Sequence, residues 1–269
     1  NRYEGWLKLG KVNPAKSYQS VGFQLSSAIH TQESFFGLRN YDAEQHSIYA
    51  NLIYQTIISS TDQIFKTGLS FQYDNYKESL NLQNFDRKEI VPGAFFEYIH
   101  HYNENISIVG GLRADYHNHY GLFITPRLHS RFVLGENTVL RASGGRGQRT
   151  ASIIAENSGL LASSRQFNIQ SSQNDLPYGL EAEVAWNYGL NLTHEFEIDY
   201  REGVFSLEFY RTDFQNQIVV DLDKNTQEAW FYNLDGKSYS NSFQTQIDYE
   251  LFKPIPKLNM TVCEICCNV

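Results

Sequence analysis

Trp186-Asn187-Tyr188-Gly189-Leu190-Asn191-Leu192-Thr193-His194-Glu195-Phe196 alternates bulky and polar residues along its length. In a β-strand this two-residue beat puts the large apolar groups on one face and the polar groups on the other. Strands of soluble sandwiches usually run about five or six residues, whereas strands that cross a bilayer need about nine to eleven. A run of this length, rich in aromatic residues, points to a sheet whose apolar face meets lipid.

The same beat recurs outward from that stretch. Val21, Phe23, Leu25 and Ile29 oppose Gly22, Gln24, Ser26 and His30, and Ala50, Leu52, Tyr54 and Ile58 oppose Asn51 and Gln55, with Ile53 and Ile57 as exceptions. Phe65, Leu69, Phe71 and Tyr73 oppose Lys66, Ser70, Gln72 and Asp74. Ile106, Ile108, Leu112, Ala114 and Tyr116 oppose Ser107, Arg113 and Asp115. Phe205, Leu207 and Phe209 oppose Ser206 and Glu208, and Phe243, Ile247, Tyr249 and Leu251 oppose Gln244, Gln246, Asp248 and Glu250. A slip of one residue would turn every side chain to the wrong face, so the pattern specifies the register.

Link lengths carry a second period. Short turn-forming links are expected near residues 60–62, 103–105, 135–137 and 199–203, and longer polar ones at about 76–89, 117–122, 149–181 and 219–227. In an antiparallel meander alternate links lie at opposite ends, so one end carries tight turns and the other carries loops, as in outer-membrane barrels. The predicted fold is therefore all-β: an antiparallel transmembrane β-barrel meander of about a dozen strands, one architecture over residues 1–269.

Composition agrees. The chain has 269 residues with 18 Tyr and 18 Phe, enough aromatics for two interfacial girdles. Mean hydropathy is −0.44, and no stretch approaches the roughly 20 apolar residues of a membrane-crossing helix. A closed barrel is the alternative that satisfies every backbone polar group in hydrocarbon. The net charge of −8 argues against a nucleic-acid partner, which needs a basic face. With Asn1 in first place and no charged and apolar leader, the expected chain is a processed protein or a fragment. Cys263, Cys266 and Cys267 cluster where the strand pattern breaks, so residues 261–269 are expected to be a non-native or truncated end, and a single Cys triplet with no Cys/His partner group implies no metal site.

The stretch Phe123-Ile124-Thr125-Pro126-Arg127-Leu128-His129-Ser130-Arg131-Phe132 leads through a tight turn into Thr138-Val139-Leu140-Arg141-Ala142-Ser143-Gly144-Gly145-Arg146-Gly147-Gln148-Arg149-Thr150-Ala151 and on to Ile154-Ala155-Glu156-Asn157. This block resembles the mid-barrel signature of TonB-dependent outer-membrane receptors. Trp186-Asn187-Tyr188-Gly189-Leu190-Asn191, Phe231-Tyr232-Asn233-Leu234-Asp235-Gly236 and Ser240-Asn241-Ser242-Phe243-Gln244 are similar to the barrels of the Bacteroidetes-type members. The resemblance spans about residues 50–252. It implies a bacterial outer-membrane location, a plug domain, a TonB complex as energy source, and TonB-dependent uptake of a scarce small molecule, a ferric siderophore or other metal chelate first, with cobalamin or oligosaccharide as further classes. Large transporters of this class have 22 strands, so about a dozen implies an incomplete wall, expected not to insert alone because open edges cannot be satisfied by lipid. A passive porin and a soluble, Tyr-rich β binding or structural protein are the competing readings.

The chain has no G-x-S-x-G, H-E-x-x-H or P-loop sequence, so no enzyme is read and no cofactor is implied. Arg127, Arg131, Arg141, Arg146 and Arg149 are read as facing the lumen, because an arginine on the lipid face costs about 2 to 4 kcal/mol at mid-membrane. They either pair with lumenal Asp and Glu or present forked donors to a plug or an anionic ligand. The resemblance assigns plug contact to Arg146, Arg149 and Glu156 in particular. His117-Asn118-His119-Tyr120 is expected at an exposed extracellular tip, where His117 and His119 beside Asp115 are candidate ligand groups, as is Tyr120. Gln166, Asn168 and Gln170, in the longest link, complete the candidates, because links beyond about 15 residues are usually functional or disordered.

Overall fold

The computed structural model describes residues 1–81, 83–171, 173 and 175–249, and the backbone of 258–268. Its strands are β1 (Arg2–Asn13), β2 (Lys16–Phe36), β3 (Arg39–Ile57), β4 (Gln63–Leu80), β5 (Gln83–Asn84), β6 (Arg87–Asn103), β7 (Ile106–His117), β8 (Gly121–Val133), β9 (Thr138–Arg149), β10 (Gln166–Ile169), β11 (Glu183–Ile198), β12 (Arg201–Gln215), β13 (Ile218–Asp221), β14 (Glu228–Asn233), β15 (Ser238–Tyr249) and β16 (Leu258–Asn268). One short helix, α1 (Ile153–Glu156), follows β9. Twelve strands pair in the order β1-β2-β3-β4-β6-β7-β8-β9-β11-β12-β15-β16, each antiparallel to its sequence neighbour. No helix of the described residues is long and apolar enough to cross a membrane.

The register keeps the two faces apart. Leu52 is opposite Leu69, Leu69 opposite Ala94, and Ala94 opposite Ala114 and thence Ile124, while Leu190 is opposite both Ala142 and Phe209, and Phe209 opposite Phe243. These side chains share one apolar face, with Leu69, Leu190 and Phe209 exposed. Soluble folds bury such a surface; here it faces outward across the whole meander.

Links at one end are short: residues 14–15, 58–62, 104–105, 134–137 and 199–200. The last of these puts Asp199 and Tyr200 at φ 53° and 57°, the left-handed pair that a two-residue hairpin turn needs to match strand twist. The expected turns near 60–62, 103–105, 135–137 and 199–203 all lie here. The opposite end carries two large insertions, residues 150–182 and 216–237.

Three links at that end depart from expectation. Residues 76–89 are mostly strand, because β4 continues to Leu80 and β6 begins at Arg87. Residues 117–122 close in a tight turn at 118–120, and 219–227 includes part of β13. At 76–89 polar residues continue β4 and β6 beyond the apolar band, which a reading based on polarity mistakes for loop. β2, β3 and β4 reach 21, 19 and 18 residues, about seven to twelve more than a crossing requires. Gly37, at φ 66°, turns the tip of the β2–β3 hairpin, so Phe35 to Tyr41 is strand and turn. At the C-terminal end the backbone of β16 pairs with β15 from Tyr239↔Asn268 to Tyr249↔Leu258. The side chains of Cys263, Cys266 and Cys267 lie outside the described residues.

The apolar core sits in the cap. β10, β14 and β13 form a second sheet, with β10 parallel to β14. Tyr41, Ala151, Ile153, Ile154, Leu161, Leu180, Ala229 and Phe231 are buried together. The physical reason is direct: the wall sends its apolar groups outward, so the main place left to bury Leu, Ile and Phe is where the two insertions meet the tall β2–β3–β4 edge. Each such fully buried side chain contributes roughly 1.5 to 3 kcal/mol. The segment 150–182 is thus a folded element.

Candidate functional site

The polar face of the wall carries ion pairs set by register. Lys66, Glu97 and Arg127 lie in one row across β4, β6 and β8, with Gly111 between Glu97 and Arg127. Glu97 binds Lys66 Nζ at 3.1 Å through one carboxylate oxygen and Arg127 Nη2 through the other. A Cβ at Gly111 would stand 2.7 Å from Arg127 Nε, so the missing side chain is what lets the guanidinium reach across. One row further, Arg113 Nε donates to Asp115 Oδ2 at 2.6 Å and its Nη2 to Ser70 Oγ at 2.8 Å. Asp115 lies over Gly93, where a Cβ would be 1.9 Å from Oδ1.

Where the wall meets the cap the charges are buried. Arg87 and Glu78 are each 5% exposed at the side chain and Glu89 is 9% exposed. Arg87 donates through Nε to Glu89 Oε1 at 3.1 Å, through Nη1 to Glu78 Oε2 at 3.2 Å and Tyr178 OH at 3.0 Å, and through Nη2 to Ser152 Oγ at 2.8 Å. Its guanidinium lies 3.8 Å from the centre of the Tyr76 ring, a cation–π contact. Tyr41 OH donates to Glu78 Oε1 at 2.7 Å and Tyr178 OH to Glu78 Oε2. Burial, together with the Glu78 carboxylate, pushes both tyrosine hydroxyls far above their usual range, so they stay protonated as donors. Burial alone would raise Glu89, but the His117 contact and the Arg87 charge outweigh it and hold that carboxyl below the usual range. One buried arginine therefore ties β4 and β6 to Ser152 and Tyr178, near the two ends of the segment 150–182.

Arg87, Glu78 and Glu89 do not stand out as site residues in the sequence because 76–89 reads as a polar link, and their partners Tyr41 and Tyr178 lie far from them in the chain. A signal was present: Arg87 and Glu89 share parity, as do Tyr76 and Glu78, so extending the strands by period 2 turns all four to one side. Arg165 was missed too; its Nη1 lies 2.7, 3.1 and 3.2 Å from the carbonyls of Leu222, Glu228 and Asn225, joining the two insertions.

The expected site residues fall in several places. Arg127, Arg131 and Arg141 project from the polar face, as does Arg149 where it is opposite Glu183. Arg149 binds Glu183 at 2.7 Å and holds Glu156 through two hydrogen bonds of 3.0 and 3.1 Å, so these expected plug-contact residues are paired with each other. Arg146 lines a pocket with Glu97, Arg113, Asp115 and Arg127 of the polar face. It is opposite Trp186, in step with Gly144 and Tyr188, and its Nη1 turns back to the Ile124 carbonyl at 2.7 Å. The β8–β9 ladder stops at Arg127↔Gly145, next to Pro126, which has no N–H to give.

His117 departs from the exposed tip. It is buried, with Nε2 3.5 Å from Glu89 Oε2 and its ring 4.9 Å from that of Tyr120. His119 Nε2 is spent on the Lys88 carbonyl at 2.8 Å, and Tyr120 OH donates to the Leu180 carbonyl at 3.1 Å. The three residues pin the cap, and no cluster of metal-ligating side chains occurs among the described residues. Gln166, Asn168 and Gln170 lie on or beside β10, a paired strand; Gln170 lines a cavity of about 590 Å³ with Asp221, Lys224 and Tyr232. A larger cavity of about 870 Å³ lies between β4–β6 on one side and Ser171 and residues 175–179 on the other, bordered by Lys77, Arg87, Lys88, His119 and Tyr178.

The family model described as TonB dependent receptor-like, beta-barrel matches residues 3–261. The siderophore receptor PirA from Pseudomonas aeruginosa is similar in fold, with a TM-score of 0.65 at 17% identity over 99% of this chain and 56% of that one. The copper transporter OprC gives 0.74 at 13% identity over 99% and 47%. A mutant of the ferric enterobactin receptor PfeA from Pseudomonas aeruginosa gives 0.64 at 15% identity over 92% and 44%. The chain spans about half the length of these solved structures, and no curated protein matches it. With its wall of outward-facing apolar strands and a family match over nearly its full length, the chain belongs to the TonB dependent receptor-like β-barrel family.

Proposed function

We propose that this chain supplies wall and extracellular cap to a receptor of the bacterial outer membrane that imports a scarce nutrient by TonB-dependent transport, with a ferric siderophore or other metal chelate as the first substrate class. The observation that carries the reading is the division of labour in the sheet: an apolar face suited to lipid, a charged face suited to a hydrated lumen, and ordered insertions gathered at one end. On this reading substrate is captured among the cap residues and passes the polar face, while a plug domain responds to the TonB complex. Arg146, Arg149 and Glu156 then stand near the mouth, where the Arg149–Glu156 pair is available for exchange with a plug carboxylate or guanidinium.

The test is transport by cells that carry or lack the gene, grown under metal limitation. Uptake of labelled ferric siderophore should fall in the deletion strain, return on complementation, and stop when a protonophore collapses the inner-membrane gradient. Uptake that survives the protonophore would support a passive channel, and recovery of the protein in the soluble fraction would exclude the outer membrane.

A further inference from the structure

Two guanidiniums of the polar face have no acid beside them. Arg131 on β8 and Arg141 on β9 are directly opposed in the ladder. Same-face residues opposed in this way stand about 5 Å apart at Cβ, where like charges destabilise a sheet. Arginine cannot relieve the repulsion by losing its proton. The neighbouring cations are compensated: Lys66 and Arg127 by Glu97, Arg113 by Asp115, and Arg149 by Glu156 and Glu183. Among the described residues Arg131 has no hydrogen-bond or ion-pair partner, and Arg141 has neutral ones, Asn191 Oδ1 at 3.2 Å and Thr193 Oγ1 at 3.4 Å.

The acid of the same row does not answer them. Glu208 is opposite Asn191, two strands from Arg141, and accepts Asn191 Nδ2 at 2.8 Å. Both arginines, with His129, Asn191, Glu208 and Tyr210, line a cavity of about 760 Å³ on the polar face. A planar fork of N–H donors matches the two oxygens of a carboxylate or the face of a phosphate, and two forks side by side can share one oxyanion.

We propose that Arg131 and Arg141 form an oxyanion site, filled by a carboxylate or phosphate group that approaches from the lumen. The inference rests on reading the polar face as lumenal. It separates this pair from Arg127 and Arg149, whose charges the wall already neutralises. The oxyanion is either a free ion or the side chain of an Asp or Glu in a segment that occupies the lumen, and the two sources are separable.

The experiment uses the whole receptor purified in detergent, with inorganic phosphate as probe in equilibrium dialysis. Saturable binding that weakens at least tenfold in Arg131→Gln and Arg141→Gln, less in Arg131→Lys, and little in Arg127→Gln supports a free-ion site. If a lumenal carboxylate already fills it, phosphate does not bind, and a water-soluble carbodiimide joins the amine of the Arg131→Lys variant to one Asp or Glu outside the wall, found by mass spectrometry. The proposal is overturned if neither binding nor such a cross-link occurs, or if the cross-link runs to Glu97 or Glu208. Recovery of the receptor in outer membranes is scored separately, so the membrane reading and the anion site can fail independently.

Discussion

Replacing Arg87 with Met should release the cap while leaving the wall intact. The substitution keeps most of the apolar stem and removes a charge that stands against two carboxylates, Glu78 and Glu89, both less than a tenth exposed. Four donated hydrogen bonds disappear with it, to Glu89, Glu78, Tyr178 and Ser152. Removing one partner from a buried ion pair typically costs about 3 to 5 kcal/mol, because the remaining charge stays desolvated. Since each 1.4 kcal/mol is a factor of ten, opening of residues 150–182 should become roughly 100- to 3,000-fold more frequent. Amide hydrogen exchange read by mass spectrometry measures this directly in peptides covering 151–161 and 175–182, against β11 and β12 as internal controls. Adding Glu78→Gln and Glu89→Gln to Arg87→Met should return much of the protection, because it removes the stranded charges. A change below about threefold in the single variant, or faster exchange spread evenly through the wall, would refute the assignment of Arg87 as the latch.

Acid should loosen the same latch. Glu89 is depressed below its ordinary value of about 4.3, so its contribution is fully present above that value and is lost as pH falls through the lower folded value. Protease cleavage within 150–182 should therefore rise below about pH 4, and an unchanged cleavage rate down to pH 3 would count against it. Tyr178→Phe removes a hydroxyl that donates to Glu78 and accepts from Arg87; a lost hydrogen bond to a charged group costs about 1.5 to 3 kcal/mol, visible as faster exchange of the 175–182 peptide. On the wall, Leu190→Arg should lower stability in lipid by about 2 to 4 kcal/mol, whereas Gln244→Arg on the other face, opposite Glu208, should cost less than about 1 kcal/mol, measured by urea unfolding in vesicles.

The wall was readable in the sequence because lipid and a hydrated lumen impose a strict period of two. Leu190 against Asn191, or Phe209 against Glu208, states the face of each strand without any knowledge of its neighbours, and the turns at 58–62 and 199–200 announce themselves by composition. The cap was not readable, and the reason is also physical. Above the apolar band both faces of β4 and β6 are polar, so Tyr76, Glu78, Arg87 and Glu89 read as loop until their shared parity is followed. Which arginines are neutralised depends on cross-strand partners: Glu97 reaches Arg127 across Gly111, while Arg131 meets Arg141. Arg146 shows the limit of parity itself: it is opposite Trp186, yet it lines a pocket with Glu97 and Asp115 of the polar face.

The assignment of one face of this sheet to lipid and the other to water is open to direct test. Nitroxide labels placed one at a time at Asn187, Tyr188, Leu190, Asn191, Leu192 and Thr193, after replacement of Cys263, Cys266 and Cys267, test it in the reconstituted receptor by electron paramagnetic resonance. Collision with oxygen should be high and with a water-soluble nickel complex low at Tyr188, Leu190 and Leu192, with the reverse at Asn187, Asn191 and Thr193. Uniform accessibility along β11, or nickel contact at Leu190 and Leu192, would contradict the assignment of that face to the membrane.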